Sequence, residues 1–166
     1  MKAIVYTSKY GHTAEYAKIL GKLSGLQVYS LKEAEKELEK GANIIYLGWL
    51  MASRVKGLVK AKKKFKVSAV CGIGLCNTGT LLQEVQKANA LPDDFPLFTM
   101  QGGMDKDKLK GFDKLLINML TKGLASQKER TETDERMLYL LTHSKTYVSE
   151  KNTADFMKWY NTNKNR

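Results

Sequence analysis

The residues with the most chemical potential lie together near the start of the 166-residue chain: Thr7-Ser8-Lys9-Tyr10-Gly11-His12-Thr13. They follow a short apolar, β-branched run, Lys2 to Tyr6, and lead into Thr13 to Leu20, whose pattern is helical. They therefore form a loop between the carboxyl end of a strand and the N-terminus of a helix. Hydroxyls and backbone N–H groups in that position suit a dianionic phosphate, because the unpaired amides and the helix dipole point at it. A short polar loop also caps a helix without binding anything, and local chemistry leaves both readings open. Position favours a ligand, since open α/β sheets bind at the carboxyl ends of their strands.

Other reactive constellations are absent from the sequence. Cys71 and Cys76 are five residues apart in an apolar, glycine-rich setting, which is neither a C-x-x-C redox pair nor half a zinc site. They read as free thiols in a reducing compartment. No Ser-His-Asp, paired-carboxylate or metal-ligand pattern is visible, so hydrolysis and metal binding are not expected. The net charge is +11, and Arg54 to Lys66 holds seven cations without an acid. An anionic membrane surface, an anionic substrate and nucleic acid are the candidate partners, with a solvated helix face as the alternative. Phe65 alone interleaves with the cations and no nucleic-acid-binding module appears, so nucleic acid is not expected. No apolar run approaches the roughly 20 residues that span a bilayer. The N-terminus enters a strand at once, without a signal-peptide core. The expected location is cytoplasmic, with a peripheral membrane contact allowed.

The elements that must position the loop alternate along the chain. Strands are expected at Lys2–Tyr6, Leu26–Ser30, Asn43–Leu47, Lys66–Cys71 and Phe95–Met100, the last with Pro96 at an edge or a strand start. Helices are expected at Thr13–Leu20, Leu31–Leu38 (with Gly41 as its C-cap), Val55–Lys63 and Thr78–Ala90. Gly48–Ser53 and Gly72–Asn77 are expected as loops. This pattern predicts one domain with a parallel sheet covered on both faces, strand order 2-1-3-4-5, and ligand contacts from the loops after strands one, three and four. Residues 101–151 form an insertion. In it, Leu109, Phe112, Leu115, Leu116, Met119 and Leu120 predict an amphipathic helix from Asp107 to Lys122, stopped by Gly123. Its apolar face would cover the sheet edge, wall a substrate or quinone site, or dock an anionic partner. Ala125–Thr133 reads as an exposed loop, and Glu135–Thr142 as a helix or a strand. A terminal helix spans Lys151–Tyr160, with Asn161–Arg166 frayed.

The loop Thr7 to Thr13 resembles the flavodoxin phosphate loop T/S-x-T-G-x-T, with Ser8, Gly11 and Thr13 in register and Tyr10 where threonine is common. Gln101-Gly102-Gly103-Met104, Leu109 with Phe112 to Ile117, and Tyr147 to Glu150 leading into Ala154-Asp155-Phe156 resemble the corresponding regions of menaquinone-dependent protoporphyrinogen oxidases and related flavodoxin-domain proteins. The basic charge agrees with that branch. The loop Trp49 to Arg54 keeps only part of the likeness.

The resemblance implies a flavodoxin-like three-layer sandwich that binds FMN, with the cofactor carrying the chemistry. Ser8, Gly11, His12 and Thr13 would cradle the phosphate, alongside Thr7, Lys9 and Tyr10; His12 reads equally as a surface histidine with no role. Trp49 would form a flat wall for the ring, or else pack against a neighbouring helix. Leu50, Met51 and Ala52 would supply backbone contacts. Gly72, Ile73 and Gly74 would let backbone amides approach the ring, with Asn77 beyond them; Gly74 and Asn77 serve equally as turn residues. The activity implied is that of an FMN-dependent oxidoreductase, quinone-linked or served by a redox partner protein. The rivals are a small electron-transfer protein without its own substrate and a cofactor-free α/β module.

Overall fold

A computed structural model describes residues 1–164. Five parallel strands form its main sheet: β1 (Ala3–Thr7), β2 (Gln27–Ser30), β3 (Asn43–Met51), β5 (Lys66–Gly74) and β6 (Leu97–Gln101). They run in the order β2-β1-β3-β5-β6, which is 2-1-3-4-5 when the parallel strands alone are counted. A two-residue strand, β4 (Arg54–Val55), adds antiparallel to the end of β3. Pro96 immediately precedes β6, an edge strand, where a missing donor costs least.

The period of two along each strand distributes side chains to opposite faces. Val5, Ile44, Tyr46 and Val70 point to one face, where Leu31 and Ala34 of α2 (Leu31–Glu37), Leu58 and Ala61 of α3 (Leu58–Lys64) and Val85 of α4 (Leu82–Ala88) meet them. Ile4, Ile45, Leu47, Ala69 and Cys71 point to the other face. There they meet Tyr16, Ala17 and Leu20 of α1 (His12–Ser24) and Phe156 and Tyr160 of α7 (Ala154–Asn163). The result is the expected α/β three-layer sandwich of flavodoxin-like type. The near-continuous apolar strands reflect burial on both sides.

Several expected boundaries move. Gly48–Ser53 is not a loop: β3 continues to Met51 and turns back through Ala52 and Ser53, at φ 47° and 59°, into β4. Both residues lie in the left-handed region, as a two-residue hairpin turn requires. The helix expected from Val55 therefore starts only at Leu58, after Gly57 at φ 83°. Gly72, Ile73 and Gly74 belong to β5 rather than to a loop. A helix from Thr78 is replaced by a loop tied to β6, with Gly79 N–H donating to Thr99 O at 3.0 Å and Thr99 Oγ1 to Thr80 O at 2.7 Å. Gly41 does not cap α2, whose C-cap is Leu38, but donates its N–H to Lys64 O.

The chain divides into two compact units, Met1–Gly102 with the residues from Val148 on, and Gly103–Tyr147. The second unit is close to the expected insertion. It holds a two-stranded ribbon, β7 (Gly103–Met104) with β8 (Lys145–Thr146), and two helices, α5 (Gly111–Ala125) and α6 (Glu132–Thr142). Residues 106–108 form a 3-10 turn, so the amphipathic helix begins at Gly111 rather than Asp107. Gly123 lies inside α5 and does not stop it. The exposed loop shrinks to residues 126–131, and the segment from Glu135 is helical. Of the expected apolar face, Phe112, Leu115, Met119 and Leu120 are exposed, Leu116 is half-buried, and Leu109, ahead of the helix, is buried. At the C-terminus α7 extends through Asn163, and residues 165 and 166 lie outside the described part.

Candidate functional site

The carboxyl ends of β1, β3, β5 and β6 meet at one edge of the sheet, where register places Thr7 beside Gly48, Gly48 beside Gly72, and Gly74 beside Gln101. The strand order reverses between β1 and β3, so the loop after β1 and the end of β3 flank the switch point.

The β1–α1 loop is built around Gly11. It caps α1 at φ 105°, and nothing lies within 4 Å of where its Cβ would stand. An L side chain there would strain the backbone rather than collide with a neighbour. Ser8 Oγ accepts from Gly11 N–H at 3.2 Å, so the serine closes the loop on itself. The helix ladder starts with Glu15 N–H donating to Gly11 O. The amides of His12, Thr13 and Ala14 precede that ladder, the position where helices attract anions. Thr13 is buried, at 2% exposure.

Thr7 has a structural partner. Tyr46 Oη donates to Lys56 O at 2.9 Å and lies 2.7 Å from Thr7 Oγ1. A phenol has one proton, already given to the carbonyl, so Thr7 is the donor to Tyr46. Burial pushes the Tyr46 phenol up to about 12, with the Thr7 bond acting the other way. A Cβ on Gly57 would stand 2.1 Å from Tyr46 Oη and 2.5 Å from Thr7 Oγ1, so the turn into α3 closes on this pair. Tyr46, Lys56 and Gly57 were not among the expected site residues. Their signal is tertiary, a phenol of one strand reaching the loops after two strands.

Trp49 lies half-buried at the end of β3. Lys9 Nζ stands 5.3 Å from its ring centroid and Lys56 Nζ 5.7 Å, and Lys9 is also 5.6 Å from the Tyr10 ring. The structure thus brings Lys9 of the phosphate-loop candidate to Trp49. The two ammonium groups on an indole form a cationic, aromatic surface.

The glycines of β5 pack against Leu50. A Cβ on Gly72 would lie 2.9 Å from Leu50 Cδ2, and one on Gly74 3.1 Å from Leu50 Cδ1. Their missing side chains make room for Leu50 of the neighbouring strand. Ile73 is buried within the core on the α1 face. Met51 pairs with Arg54, and Ala52 opens the hairpin turn. Asn89 pins that hairpin: its Oδ1 accepts from Val55 N–H at 2.9 Å and its Nδ2 donates to Ser53 O at 2.8 Å. Asn77 is exposed in a turn, where its carbonyl accepts from Thr80 Oγ1 at 2.7 Å.

Beside Gly74, the buried Gln101 organises the loop after β5. Its Nε2 donates to Leu75 O at 3.0 Å, and its N–H to Thr78 Oγ1 at 3.0 Å. Its carbonyl accepts from Tyr16 Oη at 2.6 Å, and Tyr16 in turn accepts from Asn152 Nδ2 at 2.8 Å. Gly102 N–H donates to Gly74 O, and a Cβ there would lie 2.7 Å from Ile73 and 3.3 Å from His12 Cβ. The close approach of β6 to α1 thus needs a glycine.

Cys71 is fully buried, and desolvation holds its thiol far above the ordinary range, so it is inert. Among the described residues no group of His, Cys, Asp and Glu could hold a metal ion, and no helix is long and apolar enough to cross a membrane. Compared with known proteins, the chain matches no family model, no curated protein and no solved structure.

Proposed function

We propose that the chain is an FMN-binding, flavodoxin-like oxidoreductase, quinone-linked in the manner of the protoporphyrinogen oxidases it resembles. One observation carries this reading: a glycine-opened, hydroxyl-bearing helix N-terminus and an aromatic wall, Trp49, share the point where the strand order reverses. The open space at Gly11 and the amides ahead of the α1 ladder fit a phosphate, and the half-buried indole fits a flat apolar ring.

In this reading Ser8, Gly11, His12 and Thr13 hold the phosphate, and Thr7 positions their loop through Tyr46. Trp49 offers a ring face, flanked by backbone of Leu50, Met51 and Ala52 and by the end of β5 from Gly72 to Gly74, with Asn77 in the loop beyond. FMN supplies the transfer of hydride or electrons. Lys9 and Lys56 set positive charge at the Trp49 face, which favours negative charge accumulating there. That bias supports an enzyme passing electrons to a quinone over a one-electron carrier, whose surroundings are commonly acidic.

Purified protein is expected to be yellow, to release FMN on heating, and after stripping to regain the flavin bands on titration. A colourless protein whose spectrum and FMN fluorescence do not change on titration would end this reading.

A further inference from the structure

We propose that α5, with the basic turn leading into it, docks the chain on an anionic lipid surface. The proposal is independent of flavin binding, since it concerns only the second unit.

Phe112, Leu115 and Met119 recur at three- and four-residue spacing and so form one ridge. They are 66%, 66% and 61% exposed, and Leu120 beside them is 46% exposed. The half-buried Ile117, Thr121 and Leu124 lie on the opposite side of the helix, and α5 packs against α6. The ridge is therefore the outer face of a helix already seated, not one awaiting a place in its own unit. A contiguous apolar patch of this kind marks an interaction site.

Charge identifies the occupant. Lys106, Lys108, Lys110, Lys114 and Lys122 are exposed along the turn and helix, against the exposed Asp107 and the half-buried Asp105 and Asp113, of which Asp105 pairs with Lys108 at 2.9 Å. Helical projection puts Lys122 about 20° from Leu115, along the ridge, with Lys114 farther round the exposed side. Lysine stems lie along apolar surface while their ammonium groups reach anionic headgroups. A helix with a Phe, Leu and Met face, bordered by lysines, is the chemistry of an interfacial element. A second copy is disfavoured as occupant. Ridge against ridge would bring the Lys122 side chains of two chains to one interface, each chain carrying +11. A convex ridge needs a shaped groove in a protein partner, whereas a fluid bilayer conforms to it.

The full chain is to be sedimented with phosphatidylcholine vesicles, with and without a minor fraction of phosphatidylserine. Binding is expected to the anionic vesicles only and to weaken with salt. Phe112→Ser with Met119→Ser, both exposed, should lower binding by about tenfold or more with the circular dichroism unchanged. Lys110→Glu with Lys122→Glu should do the same without changing an apolar residue of the ridge. Three results would overturn the proposal: no binding of the unaltered chain to anionic vesicles, binding undiminished in both variants, or a dimer that the serine pair dissolves. The last would assign the ridge to a second copy. A groove-bearing protein partner would leave the vesicles unbound.

Discussion

Tyr46 ties two segments together at the carboxyl edge of the sheet. The Tyr46 hydroxyl links Thr7 to the Lys56 carbonyl, so the phenol works as a strut between the loop after β1 and the entry to α3. Its folded-state pKa, about 12, lies above the ordinary 10.0 because burial disfavours the phenolate. A group with a raised folded pKa contributes stability that is complete below the unfolded value and is lost as pH rises through the folded one. Stability on the order of 2 kcal/mol should therefore drain away between about pH 10 and pH 12. Tyr46→Phe should be less stable at neutral pH, yet show a flatter decline over that window in thermal melts. A decline as steep as that of the parent chain would refute the assignment. In the proposed FMN site, Thr13→Val would remove a hydroxyl from the phosphate cradle, a hydrogen bond to a charged group of about 1.5–3 kcal/mol. FMN affinity should fall roughly ten- to a hundredfold while riboflavin, lacking the phosphate, loses little. Equal losses for the two flavins would mean that this loop is not the cradle.

Among the elements, the β3–β4 hairpin does most to shape the site, because it carries Trp49 and Leu50 and delivers Lys56. Its turn is made by Ala52 and Ser53, both left-handed, where glycine or asparagine would be easier. Left-handed backbone costs an L residue about 1–2 kcal/mol, and glycine's extra unfolded freedom offsets about half of that. Ala52→Gly should thus stabilise the chain by about 0.5–1 kcal/mol and raise the melting temperature by roughly 2–4 °C. A lower melting temperature would show that the Ala52 methyl makes a contact worth more than the strain. The hairpin does not stand alone, since Asn89 at the end of α4 bonds to both Ser53 and Val55. That tie explains how a strained turn persists beside the candidate site.

At the scale of the whole molecule, the second unit leaves and re-enters the first at neighbouring points, since β7 and β8 pair Gly103 with Thr146. Opposed residues of an antiparallel pair lie only about 4.5–5.5 Å apart, so a short linker can replace everything between them. The first unit keeps both core clusters, because each is built from strands and helices outside Gly103–Tyr147. A chain in which Gly103–Tyr147 is replaced by two or three glycines and serines should fold cooperatively and keep an α/β dichroism spectrum. It should also keep FMN if the phosphate-loop reading holds, and lose the vesicle binding assigned to α5. Failure of the excised chain to fold would show that the second unit is part of the core.

Local pattern sufficed for the parallel strands and the order 2-1-3-4-5, because hydrophobic period and right-handed crossovers depend only on near neighbours in sequence. The polar loop after β1 was legible for the same reason: a glycine and hydroxyls between a strand and a helix have few other arrangements. Glycine was the misleading signal elsewhere. Gly48, Gly72 and Gly74 suggest loops, but they lie in strands, where their empty sides admit Val55 or Leu50 from a neighbouring segment. Ala52-Ser53 carries no turn signature, so the hairpin that aims Trp49 could not be read from composition. The pairing of Thr7 with Tyr46, the approach of Lys9 and Lys56 to Trp49, and the exposure of the α5 ridge join residues far apart in the chain or depend on what packs where. Sequence period determines that a helix has an apolar side; only the tertiary structure decides whether that side finds a partner, because burial belongs to the packed whole.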